Sequence, residues 1–252
     1  MLLRAIKTRT MQPPQDDLFA VVKESIPSIK ERSILVVTSK VVSIWQGRVI
    51  KISDIAVKDE LVKREAEKYL PREVVPGGFV IHTIKNNLLI PTAGIDESNA
   101  DGHYVLWPEK VSSAAEEIWH WARKQYGVTD LGILITDSHS IPMRRGVVGI
   151  SLAHYGFNPL KDYRHTLDLF GREFHFSQTN LADGLASAAA VVMGEGSEST
   201  PLVLIEDIPG VEFISAAYVP KDKNSSFEIS PAEDLYSPFI SNVPWEKGGA
   251  SV

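Results

Sequence analysis

The sequence contains no cysteine among its 252 residues. This absence excludes disulfides, thiolate nucleophiles, cysteine-ligated zinc and iron–sulfur clusters. The longest apolar runs, ILVV and AAAVVM, are much shorter than the roughly 20 residues that a membrane span requires. The N-terminal segment also lacks the apolar stretch and small-residue cleavage site of a signal peptide. We therefore expect a soluble, cytoplasmic protein that does not bind a membrane.

Basic residues are also fewer than acidic ones. The chain has 26 basic and 32 acidic residues, which gives a net charge of −6. Because nucleic-acid surfaces need a positive field, we expect no nucleic-acid partner. Hydrophobic residues make up 44% of the chain and charged residues 23%, which is typical of a globular protein with a substantial core. The length suits one large domain or two modest ones.

Apolar runs of strand length alternate with helical patterns along the chain. The predicted strands cover 2–7, 33–39, 48–52, 79–84, 88–93, 104–107, 131–136, 174–179, 201–206 and 212–219. The predicted helices cover 16–25, which Asp16 and Asp17 open, 58–70, 109–126 and 180–193, the last with Asn180 as its N-cap. KNN at 85–87 predicts a hairpin turn. This mixture of hairpins and helical crossovers predicts a mixed α/β (α+β) fold with mixed sheets. We expect 237–252 to be a poorly ordered tail.

Three acidic residues follow apolar elements: Asp96 in TAGIDESN, Asp137 in LITDSHS and Glu195 in VVMGEGS. Each of them alone is typical of a cap or a turn. In the tertiary structure these three carboxylates could lie close together. Two carboxylates about 4 Å apart repel by roughly 4 kcal/mol at an effective dielectric of about 20. A bound divalent cation would offset that repulsion. Oxygen ligands, with the hydroxyl of Ser138 among them, suit Mg²⁺ or Mn²⁺ better than zinc.

The common nucleotide-binding motifs are missing. The sequence contains neither G-x-x-x-x-G-K-[ST] nor a G-x-G-x-x-G after a strand. Ser39 and Lys40 end an apolar run, where they can contact a phosphate or protect a strand edge. The turn beyond Met193 is rich in glycine, and we expect Gly194 to be a left-handed helix cap. Backbone N–H groups of such a turn can hold a phosphate, although a plain surface turn has the same composition.

Two adjacent arginines, Arg144 and Arg145, stand in the segment SIPMRRG. Their charges repel, which is tolerable where both face a multiply charged anion, because planar guanidinium groups bind carboxylate or phosphate. A solvated loop with acidic partners elsewhere is the alternative. The seven histidines show no H-E-x-x-H or other metal-binding spacing.

Over most of residues 1–210 the chain resembles the coenzyme F420-0:γ-glutamyl ligase family. The segments that carry the resemblance are DDL (16–18), ILVVTSKVVSIWQGRV (34–49), AGIDESN (93–99), ITDSHSIPMRRGVVGISLAHYG (135–156), LKDYRHTLDLFGRE (160–173) and LADGLASAAAVVMGEGSESTPLVLI (181–205). The resemblance implies a fold of two intertwined subdomains within residues 1–220, followed by a C-terminal extension over 221–252. It also implies a homodimer.

The activity that this resemblance implies joins L-glutamate to a deazaflavin precursor with GTP, or ATP, and a divalent metal. It implies metal ligands at Asp96, Asp137, Ser138 and Glu195, and catalytic roles for Asp137, Arg144 and Arg145. The nucleotide contacts that it implies are Thr8, Arg9, Thr10, Met11, Ser39, Lys40, Asn99, Met193, Gly194, Gly196, Ser197, Glu198, Ser199 and Thr200.

The chain departs from the family's usual pattern at three places. Ile44 stands where the family usually has a lysine, and Ser138 replaces a threonine. The usual Gly-Arg-Pro-Trp-Arg becomes SIPMRR, a loop that we expect to touch the acceptor. A folate-type acceptor is therefore an alternative to coenzyme F420-0, and a non-catalytic relative that binds nucleotide or metal is a second alternative.

Overall fold

A computed structural model describes residues 1–220 and 227–249. The strands are β1 (Leu2–Ile6), β2 (Ser33–Thr38), β3 (Val49–Lys51), β4 (Lys68–Leu70), β5 (His82–Lys85), β6 (Leu88–Pro91), β7 (His103–Val105), β8 (Leu131–Ser140), β9 (Val147–Tyr155), β10 (Leu160–Asp162), β11 (Gln178–Asn180), β12 (Leu202–Glu206) and β13 (Glu246–Lys247). The helices are α1 (Leu18–Ser25), α2 (Ser39–Trp45), α3 (Lys58–Glu65), α4 (Val111–Tyr126), α5 (Leu181–Met193) and α6 (Ser237–Ile240). None of the described helices is long and apolar enough to cross a membrane.

The main sheet has five strands in the order β1-β12-β2-β8-β9. Only β2 and β8 are parallel, and the other three pairs are antiparallel. Parallel neighbours need a long crossover, and here it contains α2, the chain from β3 to β7, and α4. The prediction of a mixed α/β fold is confirmed.

Both faces of the main sheet are covered. Leu35 and Val37 of β2 belong to the core under α1, α2 and α4, whereas Ile34 and Val36 belong to the core under α5. This arrangement follows from the alternation of side chains along a strand. Helix α5 packs through a stripe of small and apolar residues at helical spacing: Ala182, Leu185, Ala186, Ala189 and Met193.

A smaller unit is inserted between β2 and α4. It contains the β3–β7 pair and the strands β4, β5 and β6, to which the C-terminal strand β13 adds in the order β13-β4-β5-β6. The unit has a core of its own that includes Leu61, Val62 and Ile81. The predicted hairpin turn joins β5 to β6, where Asn86 and Asn87 have φ of 49° and 58°. Positive φ at both central residues matches the right-handed twist of the strands, and asparagine tolerates it.

The helix ends follow the capping signals in the sequence. Asp17 accepts hydrogen bonds from the backbone N–H groups of Phe19 and Ala20 at the start of α1. Asn180 accepts one from Asp183 at the start of α5, as the prediction of its N-cap role required. Gly127, with φ 67° and ψ 32°, ends α4 in the left-handed conformation. The helices predicted over 16–25, 109–126 and 180–193 are present within two residues of those bounds.

Other boundaries were wrong. The helix predicted over 58–70 ends at Glu65, because residues 68–70 form β4 and pair with β5. The strand predicted over 33–39 ends at Thr38, and Ser39 begins the unpredicted helix α2. The run 212–219 forms no strand, only an isolated bridge from Phe157 to Phe213. Of the strand predicted over 174–179, only residues 178 and 179 fall in a strand, β11 (Gln178–Asn180).

The C-terminal stretch differs from the expected poorly ordered tail. Residues 246 and 247 form β13, which pairs antiparallel with Tyr69 and Lys68 of β4. The hydroxyl of Tyr69 also donates a hydrogen bond of 2.5 Å to Glu246. An edge strand such as β4 presents unpaired backbone groups, and the returning chain satisfies them. Residues 221–226 and 250–252 lie outside the described residues, so the division at 220 stays a prediction.

Candidate functional site

A cavity of about 420 Å³ lies at the ends of β2 and β8, beside the inserted unit. Its walls are residues 8–11, 38–41, 44, 96, 98, 99, 136–138, 190 and 193–201. Every residue that the resemblance assigned to the nucleotide or the metal lines this cavity. Five segments that are far apart in the sequence therefore meet at one place, and their chemical roles stay predictions.

Arg144 and Arg145 do not line the cavity. Strands β8 and β9 remain paired as far as Ser140 and Val147, well beyond Asp137, which pairs with Ile150. Three residues of extended strand span roughly 10 Å, so the pairing carries the turn away from the cavity. Both arginines are exposed there. The structure thus places both arginines outside the cavity wall, and their predicted contact with an anionic substrate stays a prediction.

Asp137 lies partly buried in the wall of the cavity. Its Oδ2 accepts a hydrogen bond from the indole N–H of Trp107, and its Oδ1 accepts one of 2.9 Å from the backbone N–H of Ser138. Burial raises the pKa of Asp137 to about 6, and the nearby carboxylate of Asp96 acts in the same direction, although both hydrogen bonds oppose the shift. A cation bound beside this carboxylate would stabilise its charged form.

Asp96 lies on the inserted unit and is held by four donors. The backbone N–H groups of Glu97 and Ser98 and the hydroxyl of Ser98 donate to it over 2.6–2.9 Å. The ammonium of Lys40, from the main sheet's side, lies 2.6 Å from its Oδ2. Burial acts to raise the pKa of Asp96, but the bonds from Lys40 and Ser98 outweigh it and hold the pKa below its usual range.

The loop after α5, residues 194–200, forms another wall of the cavity. Gly194 has φ 77° and ψ 171°, so it is not the left-handed helical cap that was predicted. A side chain there would overlap the carboxylate of Glu198, which accepts the N–H of Gly196 at 2.8 Å. Glu195 lies 3.2 Å from the hydroxyl of Ser138 and accepts its hydrogen bond.

Two further contacts connect this loop to other walls of the cavity. The N–H of Thr8 donates to the carbonyl of Ser199 at 2.9 Å, and the amide of Asn99 donates to the carbonyl of Gly196 at 2.9 Å. Arg9 is itself paired with Asp16, with N–O distances of 2.6 and 2.9 Å. The N-terminal segment and the inserted unit are therefore both attached to the glycine-rich loop.

The donor set fits a hard divalent cation in its chemistry. Asp96, Asp137, Ser138 and Glu195 offer only oxygen ligands, and these are what Mg²⁺ and Mn²⁺ prefer. Within the described part of the chain, however, no three acidic or histidine side chains are close enough together to hold an ion. The ammonium of Lys40 neutralises Asp96 in this arrangement. A cation would require Lys40 to move and the carboxylates to draw together.

Sequence reasoning missed several residues of this site. Trp107, which contacts Asp137, was assigned only to a strand, and no local signal distinguishes it from a core tryptophan. Ser98 and Thr136 also line the cavity, and both adjoin residues that were predicted. Ile44 lines it too and is buried, so the wall is apolar where the family's usual lysine would place a charge.

Comparison with known proteins gives a consistent result. The family model for F420-0:Gamma-glutamyl ligase matches residues 5–207. A "Coenzyme F420:L-glutamate ligase" of Methanopyrus kandleri is 34% identical over 212 residues, which are 77% of this chain and 82% of the relative. Proteins with the same name from Halorubrum lacusprofundi (32% identical; 76% of this chain and 81% of the relative) and Methanocaldococcus jannaschii (34%; 70% and 76%) are also similar. The chain belongs to the F420-0:gamma-glutamyl ligase family and is an amide-bond-forming ligase.

Proposed function

We propose that this protein joins L-glutamate to the carboxylate of coenzyme F420-0, or of a related acceptor, at the expense of a nucleoside triphosphate. The observation that carries the proposal is the cavity in which residues 8–11, 39–40, 96, 98, 99, 137–138 and 193–200 meet. The similar proteins are named for ligation of glutamate to coenzyme F420, which supports this acceptor.

The loop over 193–200 is the natural place for the phosphates of GTP or ATP. Its glycines leave backbone N–H groups accessible, and such groups bind phosphate oxygens without a Walker motif. The ammonium of Lys40, already beside Asp96, can neutralise phosphate charge if it leaves that carboxylate. The apolar side chain of Ile44 provides a surface for a base or ribose.

Asp96, Asp137, Ser138 and Glu195 would hold Mg²⁺ or Mn²⁺ beside those phosphates. When bound, the ion would neutralise the negative charge that develops on the phosphate oxygens. This chain's own contribution is to position the reactants and to exclude water, which is most of what phosphoryl transfer asks of a protein.

Two bond-forming steps account for the reaction. A carboxylate oxygen of the acceptor attacks the γ-phosphorus, the bond to the β-phosphate breaks, and the nucleoside diphosphate leaves. The amine nitrogen of glutamate then attacks the acyl carbon, phosphate leaves, and the amine proton passes to solvent. No protein nucleophile is required, and the chain contains no cysteine that could supply one.

Product formation tests this function directly. The protein is incubated with Mn²⁺, GTP or ATP, L-glutamate and either coenzyme F420-0 or a folate, and the products are analysed by mass spectrometry. We expect coenzyme F420-0 to gain the mass of a glutamyl residue, with release of nucleoside diphosphate that depends on both glutamate and metal. Mass gain on folate alone would assign the folate-type acceptor. Nucleotide binding without mass gain on either acceptor would contradict the proposal.

A variant pair separates chemistry from folding. Asp137→Asn removes a carboxylate from the cavity wall and should abolish product formation while the protein remains folded by circular dichroism. Asp54→Asn is the matched control, because Asp54 is exposed and its carboxylate accepts a hydrogen bond from the hydroxyl of its neighbour Ser53, outside the cavity wall. It should leave product formation unchanged.

We also propose that the protein is a homodimer. The hairpin formed by residues 160–180, called the arm below, exposes Leu167, Leu169, Phe170 and Phe176. Leu169 and Phe170 are 98% and 95% exposed. A group of large apolar side chains on a projecting hairpin is costly to leave in water, and a second copy can cover it through an isologous contact.

A further inference from the structure

Trp107 lies at the junction between the inserted unit and the main sheet. Its side chain is 2% exposed and packs with Ile90 of β6 and Ile150 of β9 in a small separate core. Residues of both units therefore surround one indole ring. Nothing in this packing alone distinguishes Trp107 from an ordinary core residue.

The indole N–H gives it a more specific role. Indole nitrogen is a donor only, and a buried one needs an acceptor. Here it donates to Oδ2 of Asp137, a carboxylate that also faces the cavity. Gly94 makes this approach possible, because a Cβ at that position would overlap the indole nitrogen. Gly94 has φ 71°, so the backbone there also favours glycine.

The other side of Trp107 is held by charged groups. The guanidinium of Arg48 donates to the Trp107 carbonyl at 3.3 Å and pairs with Glu65 at 2.8 Å. Glu65 also pairs with Lys85 at 3.0 Å, and the Lys85 ammonium lies 5.9 Å from the centre of the Trp107 ring. Arg48 and Lys85 thus contact the backbone and the ring of Trp107, while its indole N–H donates to Asp137.

We propose that Trp107 is a positioning residue for the cation site. It fixes the Asp137 carboxylate through Oδ2, the N–H of Ser138 fixes Oδ1, and Asp137 itself lines the cavity. This inference rests on the metal-binding role given to Asp137 in the proposed function. Groups that orient a metal ligand in this way generally matter for affinity, with about 10- to 100-fold losses when they are replaced.

Metal affinity of the full-length protein tests the inference without any turnover. Trp107→Phe keeps most of the ring and removes the N–H, and Mn²⁺ alone is titrated while free Mn²⁺ is followed by electron paramagnetic resonance. We expect Mn²⁺ to bind about tenfold more weakly than to the wild type. Trp121→Phe is the matched control, because Trp121 stacks on Phe19 in α1 and is not part of the cavity wall. Its affinity should equal that of the wild type.

The Asp137→Asn variant distinguishes failure of this inference from failure of the proposed function. If Asp137→Asn weakens Mn²⁺ binding and Trp107→Phe adds nothing further in the double variant, the two residues act together as proposed. If Asp137→Asn weakens binding but Trp107→Phe alone does not, the positioning role is wrong and the metal site stands. If neither change affects Mn²⁺ binding, Asp137 is not a ligand, and both its metal-binding role and the positioning role of Trp107 are wrong. Product formation by the wild type then decides separately whether the ligase proposal stands.

A measurement on the wild type keeps the inference testable if the Trp107→Phe variant fails to fold. In protein labelled with ¹⁵N at tryptophan, the five indole N–H signals are recorded during addition of Mn²⁺. Paramagnetic broadening should remove one signal first, and the same signal should move in Asp137→Asn. Uniform broadening, or a selective loss that Asp137→Asn does not share, would overturn the role of Trp107.

Discussion

Glu65 is the centre of a partly buried ion network behind Trp107. It lies 2.8 Å from Arg48 and 3.0 Å from Lys85. Burial acts to raise the pKa of Glu65, but the two cations outweigh it and hold the pKa below its usual range. Burial lowers the pKa of Lys85 even though Glu65 opposes that shift. The charged form of Glu65 is therefore stabilised by Arg48 and Lys85, and the charged form of Lys85 is stabilised by Glu65.

Replacement of Glu65 by glutamine should destabilise the fold strongly. It leaves Arg48 and Lys85 without their shared anion, and removal of one partner from such a pair costs about 3 kcal/mol or more. Glu60→Gln is the control, because Glu60 pairs with Lys63 on the exposed face of α3 and such pairs contribute about 0.5 kcal/mol or less. Urea unfolding measures both. Equal losses for the two variants would contradict the importance of the network.

His154 predicts an acid-sensitive contribution to stability. Its ring packs beside Phe157 and Phe227, and burial lowers its pKa from 6.5 to about 4. The unfolded chain therefore takes up the proton more readily, so the contribution of His154 is complete above about pH 6.5 and is lost as the pH falls towards 4. The full loss is roughly 3 kcal/mol at most.

The free energy of unfolding measured between pH 7 and 4 checks this expectation. His154→Gln cannot be protonated and should flatten the decline over that interval. His120→Gln, at an exposed position on α4, should leave the decline as in the wild type. A His154→Gln variant with an unchanged decline would show that other groups cause it.

Two glycines on facing elements should respond oppositely to alanine. A Cβ on Gly149 of β9 would overlap the carbonyl of Ala186 in α5, so Gly149→Ala should push the helix away and cost about 1–3 kcal/mol. Gly184 is on the exposed side of α5 with open space around its Cα, so Gly184→Ala should stabilise by about 0.5–1 kcal/mol. Thermal unfolding of both variants checks the signs. An unchanged or higher stability of Gly149→Ala would contradict the close approach of α5 to β9, and a loss in Gly184→Ala would contradict the open space at that position.

Individual elements were predictable wherever local signals agreed. The caps at Asp17 and Asn180 and the Asn86-Asn87 turn act within a few residues, and the structure contains all three. The prediction failed at β4 and at the run 212–219, where the outcome depends on pairing with distant chain. A helical pattern continues through 68–70, but the edge of β5 supplies hydrogen bonds that extended residues can satisfy.

Association of the whole molecule can be tested at the arm. Leu169→Glu combined with Phe170→Glu places charge on its most exposed apolar side chains, and the mass measured by light scattering after size exclusion should fall from that of a dimer to that of a monomer. Phe79→Gln is the control, because Phe79 is an exposed apolar residue of the inserted unit and should not affect the mass. A wild-type monomer, or a dimer that survives both arm substitutions, would contradict the proposed role of the arm.

The composition of the cavity was anticipated only through family resemblance, since convergence of its five segments cannot be deduced from spacing. The structure brings Asp96, Asp137 and Glu195 to one cavity but keeps Arg144 and Arg145 away from it. The reason is the length of the β8–β9 pairing, which no local motif announces.

By itself, the amino-acid sequence determined what depends on neighbours along the chain: alternating strands, capped helices, the asparagine turn and the absence of thiol chemistry. Only the tertiary structure decided which polar residues share a cavity, that β13 returns to β4, and that Trp107 contacts Asp137. These contacts join residues separated by 30 or more positions. Their formation depends on how two cores pack against each other, and packing depends on shape complementarity across the whole chain rather than on any local pattern.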